Sequence, residues 1–161
     1  MTAVIQRIEK ATVYADGVLS GAVGHGLYLL LGVFAEDTEE DARLLAEKIA
    51  KLRIFSDSEG KMNLSVLDVG GEAMVVSNFT LCADYAHGNR PSYFLAAEPT
   101  RAEALYDRFV LLLKERIPSV ATGRFGADMR TDLVTDGPIT IVMDSRLLKK
   151  GSKGSEKGEL A

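Results

Sequence analysis

Residues 27–34 read Leu-Tyr-Leu-Leu-Leu-Gly-Val-Phe, eight positions without a charged side chain and broken only by Gly32. A continuous apolar run of this length is the pattern of a β-strand covered on both faces. It falls far short of the ~20 residues a membrane helix needs. A chain that holds such a strand must supply two apolar layers to cover it. With 161 residues, 47% of them hydrophobic, this chain can do so within one domain. The same composition, 26% charged, excludes wholesale disorder, collagen-like repeats and coiled coil.

Around that run the pattern changes. Residues 1–8 alternate apolar and polar side chains, and residues 11–23 read as a hairpin centred on Asp16-Gly17. A two-residue Asp-Gly turn favours type I′, in which both central residues need positive φ. Gly24-His25-Gly26 makes a second break. Thr38-Glu39-Glu40-Asp41 resembles a capping box, and Ala42, Leu45, Ile49 and Leu52 follow at helical spacing. Residues 53–55 suggest a short strand, residues 64–69 and 72–80 two strands about Gly70-Gly71, and residues 83–98 a long functional loop. Pro99, Thr100 and Glu103 open a second helix that buries Leu105, Phe109 and Leu112 and ends at Pro118. Residues 128–135 and 139–144 read as the last strands, divided by Asp136-Gly137-Pro138. The expectation is one mixed α/β domain over residues 1–144, its sheet largely antiparallel, with two main helices.

Net charge is −4, divided unevenly. Residues 145–161 hold five Lys/Arg against two Glu, which leaves −7 on residues 1–144. Lys, Gly, Ser and Glu dominate this last stretch, which reads as a disordered basic tail. A body so acidic does not suit tracking along a nucleic-acid backbone by counterion release, although local contacts could hold a nucleic-acid end. One cysteine, Cys82, allows no intrachain disulfide. Arg7, Glu9 and Lys10 stand where a signal peptide would need apolar residues. A reducing, cytoplasmic setting is the expectation.

Most catalytic signatures are missing. There is no Gly-x-Ser-x-Gly elbow, no His-Glu-x-x-His, no paired cysteine and no phosphate loop. His25 sits between glycines in a turn, and His87 is alone in the loop Asp84-Tyr85-Ala86-His87-Gly88. They form no metal site, and no cofactor is implied. Two segments stand out instead. Ser77-Asn78-Phe79-Thr80-Leu81 follows directly on the apolar strand residues 73–76. Its hydroxyls and amides could meet a ligand or simply cap neighbouring backbone. Gly137-Pro138-Ile139-Thr140 precedes the last apolar alternation and reads either as a plain turn or as a built feature.

Those two segments resemble the Ser-Gln-Phe-Thr-Leu and Gly-Pro-Val-Thr motifs of the D-aminoacyl-tRNA deacylase family. Ala3-Val4-Ile5-Gln6-Arg7, Arg53-Ile54-Phe55-Ser56-Asp57, Gly60-Lys61-Met62-Asn63, Arg90-Pro91-Ser92, Ala104-Leu105-Tyr106 and Gly123-Arg124-Phe125-Gly126-Ala127-Asp128-Met129 agree in the expected order. The resemblance spans about residues 1–143 and leaves the tail outside. It implies a barrel-like sheet core and a homodimer. It also implies hydrolysis of the ester joining a D-amino acid, or glycine, to the 3′ end of tRNA, with no membrane involved.

The resemblance further implies roles for individual residues. The Gly137–Pro138 bond would be cis, and the carbonyls of Gly137 and Pro138 would reach into the partner's site, flanked by Ile139 and Thr140. The backbone amides of Phe79 and Thr80 would form an oxyanion hole beside Ser77 and Leu81. Thr80 could be the nucleophile, but no base is evident for it; assistance by the ribose 2′-hydroxyl is the preferred reading. Phe125 and Met129 would seat the terminal adenine or else pack in the core. Arg7 would orient the Gly-Pro segment or make a surface ion pair. Asn78 departs from the family's Gln by one methylene, so a hydrogen bond from that side chain must shift. A non-catalytic nucleic-acid-binding protein on the same fold, and a deacylase of relaxed specificity, are the alternatives.

Overall fold

The computed structural model describes residues 1–149. Its main sheet begins with β1 (Thr2–Ala15), β2 (Val18–Val23) and β3 (Gly26–Gly32). Asp16 and Gly17 take φ of 48° and 79° between β1 and β2, the type I′ turn expected of Asp-Gly. Residues 1–8 and 11–15, read as separate segments, form one continuous strand because β8 (Met129–Asp144) pairs along its whole length. β3 lies antiparallel to the first half of β1 and parallel to β6 (Glu72–Ser77), which in turn pairs in parallel with β7 (Val120–Thr122). Ser20 of β2 donates its hydroxyl to the Thr122 carbonyl at 2.9 Å, drawing the two ends of the sheet together. The result is a nearly closed, barrel-like sheet in a mixed α/β domain.

The apolar run is indeed covered twice. Leu27, Leu29 and Leu31 point into a core shared with the helices, while Tyr28 and Leu30 point into the barrel beside Val13, Met74 and Val76. β6 alternates in the same way, with Ala73 and Val75 on one side and Met74 and Val76 on the other. The helical layer is α1 (Glu39–Ala50) and α2 (Pro99–Lys114). The Asp41 carboxylate accepts from the Thr38 N–H at 2.8 Å and from its hydroxyl at 3.1 Å, which fixes the start of α1. Pro99 opens α2, where its missing N–H costs nothing.

Three expectations need correction. Residues 65–69 turn rather than extend, because the Asp68 carboxylate captures the Ser65 N–H at 2.7 Å and its hydroxyl at 2.8 Å; only β5 (Met62–Leu64) precedes them, paired with β4 (Phe55–Ser56). β6 stops at Ser77, and Phe79–Cys82 coils into a 3₁₀ turn. The tail expected from Ser145 is helical over residues 145–149. Ser145 is buried, donates to Asp41 Oδ1 at 2.6 Å and accepts from the Met1 amine at 2.9 Å. Residues 150–161, the rest of that tail, lie outside the described residues.

Candidate active site

β3 and β6 run parallel and end together, with Leu31 opposite Ser77. The Asn78 N–H donates to the Leu31 carbonyl at 2.8 Å, and the chain then coils through Phe79–Cys82 over the end of β3. Gly32 permits this crossing. A Cβ there would lie 2.8 Å from Leu81 Cβ and 3.2 Å from the Asn78 carbonyl oxygen. The first amides of such a turn have no carbonyl behind them to bond. Among the described residues, the backbone N–H groups of Phe79 and Thr80 donate to no other backbone carbonyl.

The start of this turn, Asn78 and Phe79, stands at one wall of a cleft of about 650 Å³. Ser77, Asn78 and Phe79 line it on one side, Phe125 and Met129 on another, and the first turns of α2 supply Ala102 and Tyr106. Tyr106 donates its hydroxyl to the Val75 carbonyl at 3.0 Å, and its ring meets Phe125 at a centroid distance of 5.8 Å. Burial pushes the Tyr106 phenol well above its ordinary range, so it stays a neutral donor. Phe79 is 59% exposed and meets Tyr93 edge-on at 5.0 Å. Among the lining residues only Glu98 carries a charge.

Thr80 and Leu81 do not line the cleft. The Thr80 hydroxyl is exposed and donates to Asn78 Oδ1, so the shortened side chain at position 78 has found a partner within its own turn. Cys82 is buried, its thiol pushed up to about 11 by burial first and by Asp37 second, and it donates to the Val33 carbonyl. His25 rests edge-on to Phe55 at 5.2 Å, and His87 is exposed in its loop. Neither histidine lines the cleft.

The Gly-Pro segment lies elsewhere. Gln6 pairs with Thr140 and Ile8 with Thr135, so Arg7 alone faces residues 136–139, which bulge from β8. The Gly137–Pro138 bond in this bulge is cis, and both residues are exposed. Arg7 Nε lies 2.9 Å from Asp136 Oδ2 as an ion pair without hydrogen-bond alignment, while Nη1 donates to the Ile54 carbonyl at 2.8 Å. Ile139 packs against the helical core, whereas Thr140 is exposed and accepts a long contact from Gln6 at 3.5 Å. None of these residues reaches the cleft of its own chain.

Sequence reasoning assigned no site role to Tyr93, Ala102 or Tyr106. Tyr106 enters the sequence reading only within the stretch Ala104-Leu105-Tyr106 that agrees with the family. Only its bond to a β6 carbonyl reveals that it braces the cleft.

The family model described as D-Tyr-tRNA(Tyr) deacylase matches residues 4–144. A D-aminoacyl-tRNA deacylase from Chloroflexus aurantiacus is 57% identical over 149 residues, covering 92% of this chain and 93% of its own. One from Thermotoga petrophila is 51% identical over 148 residues, covering 92% and 99%. Among solved structures, a c-Myc DNA unwinding element binding protein superposes with a TM-score of 0.84 at 37% identity, covering 89% of this chain and 98% of its own. A probable eukaryotic D-amino acid tRNA deacylase, at 16% identity, shares the fold with a TM-score of 0.78 over 89% of this chain. With a family match over nearly the whole described chain, this protein belongs to the D-Tyr-tRNA(Tyr) deacylase family and is a hydrolase of the D-aminoacyl-tRNA ester.

Proposed function

We propose that the chain acts as a cytoplasmic homodimer that clears D-amino acids, and glycine, from the 3′ end of tRNA. The observation that carries this is the pair of backbone N–H groups at Phe79 and Thr80, which among the described residues donate to no backbone carbonyl, in the turn whose first residues, Asn78 and Phe79, line a cleft without histidine. An ester carbonyl placed there gains donors for the negative charge that develops as water attacks. One such donor is worth ~2.7–4 kcal/mol in enzymes that use it. The terminal adenine seats against Phe125 and Met129, with Ser77 and Asn78 at the opposite wall. The ribose 2′-hydroxyl adjoining the ester assists the attacking water, since among the described residues the Thr80 hydroxyl donates to the Asn78 amide oxygen rather than to a base.

Handedness is set from the partner. The Gly137 and Pro138 carbonyl oxygens of one protomer enter the cleft of the other and face the substrate Cα. An L side chain collides with those oxygens, a D side chain points away, and glycine has nothing to collide. Arg7 steadies the bulge through Asp136 and the Ile54 carbonyl. This division of labour accounts for why the Gly-Pro segment is exposed and apart from the cleft of its own chain.

A second reading, nucleic-acid binding without catalysis, draws on the basic balance of residues 145–161 and on the name of one structural relative. The two separate in a deacylation assay. Release of tyrosine from D-tyrosyl-tRNA is the expected result. A protein that holds the charged tRNA and releases neither D- nor L-tyrosine leaves only the binding reading.

A further inference from the structure

A second cavity, about 390 Å³, adjoins the cleft and shares Met129 with it; Tyr14, Gly17, Asp128 and Arg130 complete its lining. Its construction follows from β1–β8 pairing. Tyr14 and Arg130 are cross-strand partners, so their side chains emerge on one face. The Arg130 guanidinium lies over the Tyr14 ring at 4.7 Å, and its other side is open, for Arg130 is 72% exposed. The wall between cavity and cleft is tied down by the β1–β2 turn. Asp16 donates its N–H to the Asp128 carbonyl at 2.8 Å, accepts the Asp128 N–H on Oδ1 at 3.1 Å, and pairs with Arg124. Gly17 adds no side chain, and a Cβ there would meet nothing within 4 Å.

We propose that this cavity binds the base of the nucleotide preceding the terminal adenosine, a subsite that rests on the deacylase reading above. An adenine against Met129 puts the next nucleotide of the strand within reach of the neighbouring cavity. A flat base continues the Tyr14–Arg130 stack, as unpaired bases do on aromatic rings and guanidinium planes. The charges favour a base over a phosphate: Arg124 is paired with Asp16 and Arg130 with Asp132, and Asp128 adds a third carboxylate. Asp128 suits the exocyclic amino group of a base such as cytosine.

The test compares two small esters, D-tyrosyl-adenosine and D-tyrosyl-cytidylyl-(3′→5′)-adenosine. Wild-type KM should be about 10-fold lower for the dinucleotide ester. Tyr14→Ala and Arg130→Ala should bring that ratio close to one, and Tyr14→Phe, which keeps the ring, should recover it. A ratio near one in the wild type, or one unchanged in both alanine variants, overturns the subsite. Calorimetry with uncharged cytidylyl-adenosine probes the subsite without chemistry. Weaker binding by Tyr14→Ala than by wild type supports it even if neither ester is hydrolysed, and equal binding overturns it.

Discussion

At the scale of single residues, the candidate site depends on what one glycine omits. Gly32 gives the 3₁₀ turn room to cross β3, and the Asn78 carbonyl and Leu81 side chain occupy the space a methyl would need. Gly32→Ala should therefore cost about 1–3 kcal/mol through overpacking and lower kcat by displacing the Phe79 and Thr80 amides. A urea midpoint and a single-turnover rate check the two effects together. Thr80 separates side chain from backbone. Thr80→Ala keeps the amide and removes the hydroxyl, so kcat should stay within about 10-fold of wild type if the ribose does the chemistry; complete loss in a folded variant would make Thr80 the nucleophile. The motif around Asn78 was legible in the sequence as a string of residue types. Its geometry was not, because the 3₁₀ turn depends on Gly32, forty-six positions before Asn78. Periodicity carries no record of such a contact.

At the scale of elements, α1 and α2 were legible because capping and apolar spacing agree along each helix. The stretch directly after β8 was not. Residues 145–149 look like the start of a polar tail, but the Asp41 carboxylate, buried at the head of α1, gathers them. Burial opposes its ionisation, yet hydrogen bonds from Lys149, Ser145 and Thr38 outweigh it and hold the group well below the ordinary carboxylate range. The sign of the pH dependence follows. A depressed folded-state pKa contributes stability that is fully present above the unfolded value of about 3.9 and is lost as pH falls further toward the folded value. Thermal melts should show Tm dropping between about pH 4 and pH 2, with a shallower slope in Asp41→Asn. An identical slope in the variant would remove Asp41 from the account. A chain ending at Asp144 should likewise lose on the order of 1–3 kcal/mol, since it strips two partners from a buried carboxylate.

For the whole molecule, the doubly covered run at residues 27–34 announced two layers, and the barrel and helical cores are those layers. The closure of the sheet was harder to see, since the Ser20–Thr122 contact joins segments far apart in sequence. The proposed division of the site between two copies is invisible to pattern reading and comes only from family resemblance. In one chain the Gly-Pro segment is exposed and does not line the cleft. In the proposed dimer each copy would supply the other's cleft with that segment, and handedness would then be a property of the pair. Sedimentation at micromolar concentration should find a dimer, and a strict monomer that still discriminates would refute the exchange.

The most direct measurement is the ratio of kcat/KM for D-tyrosyl-tRNA to that for L-tyrosyl-tRNA, taken with the purified full chain. Collision of an L side chain with fixed oxygens predicts a ratio of about 100 or more, since steric exclusion of this kind costs several kcal/mol. A ratio near one, with both substrates hydrolysed, would contradict the account.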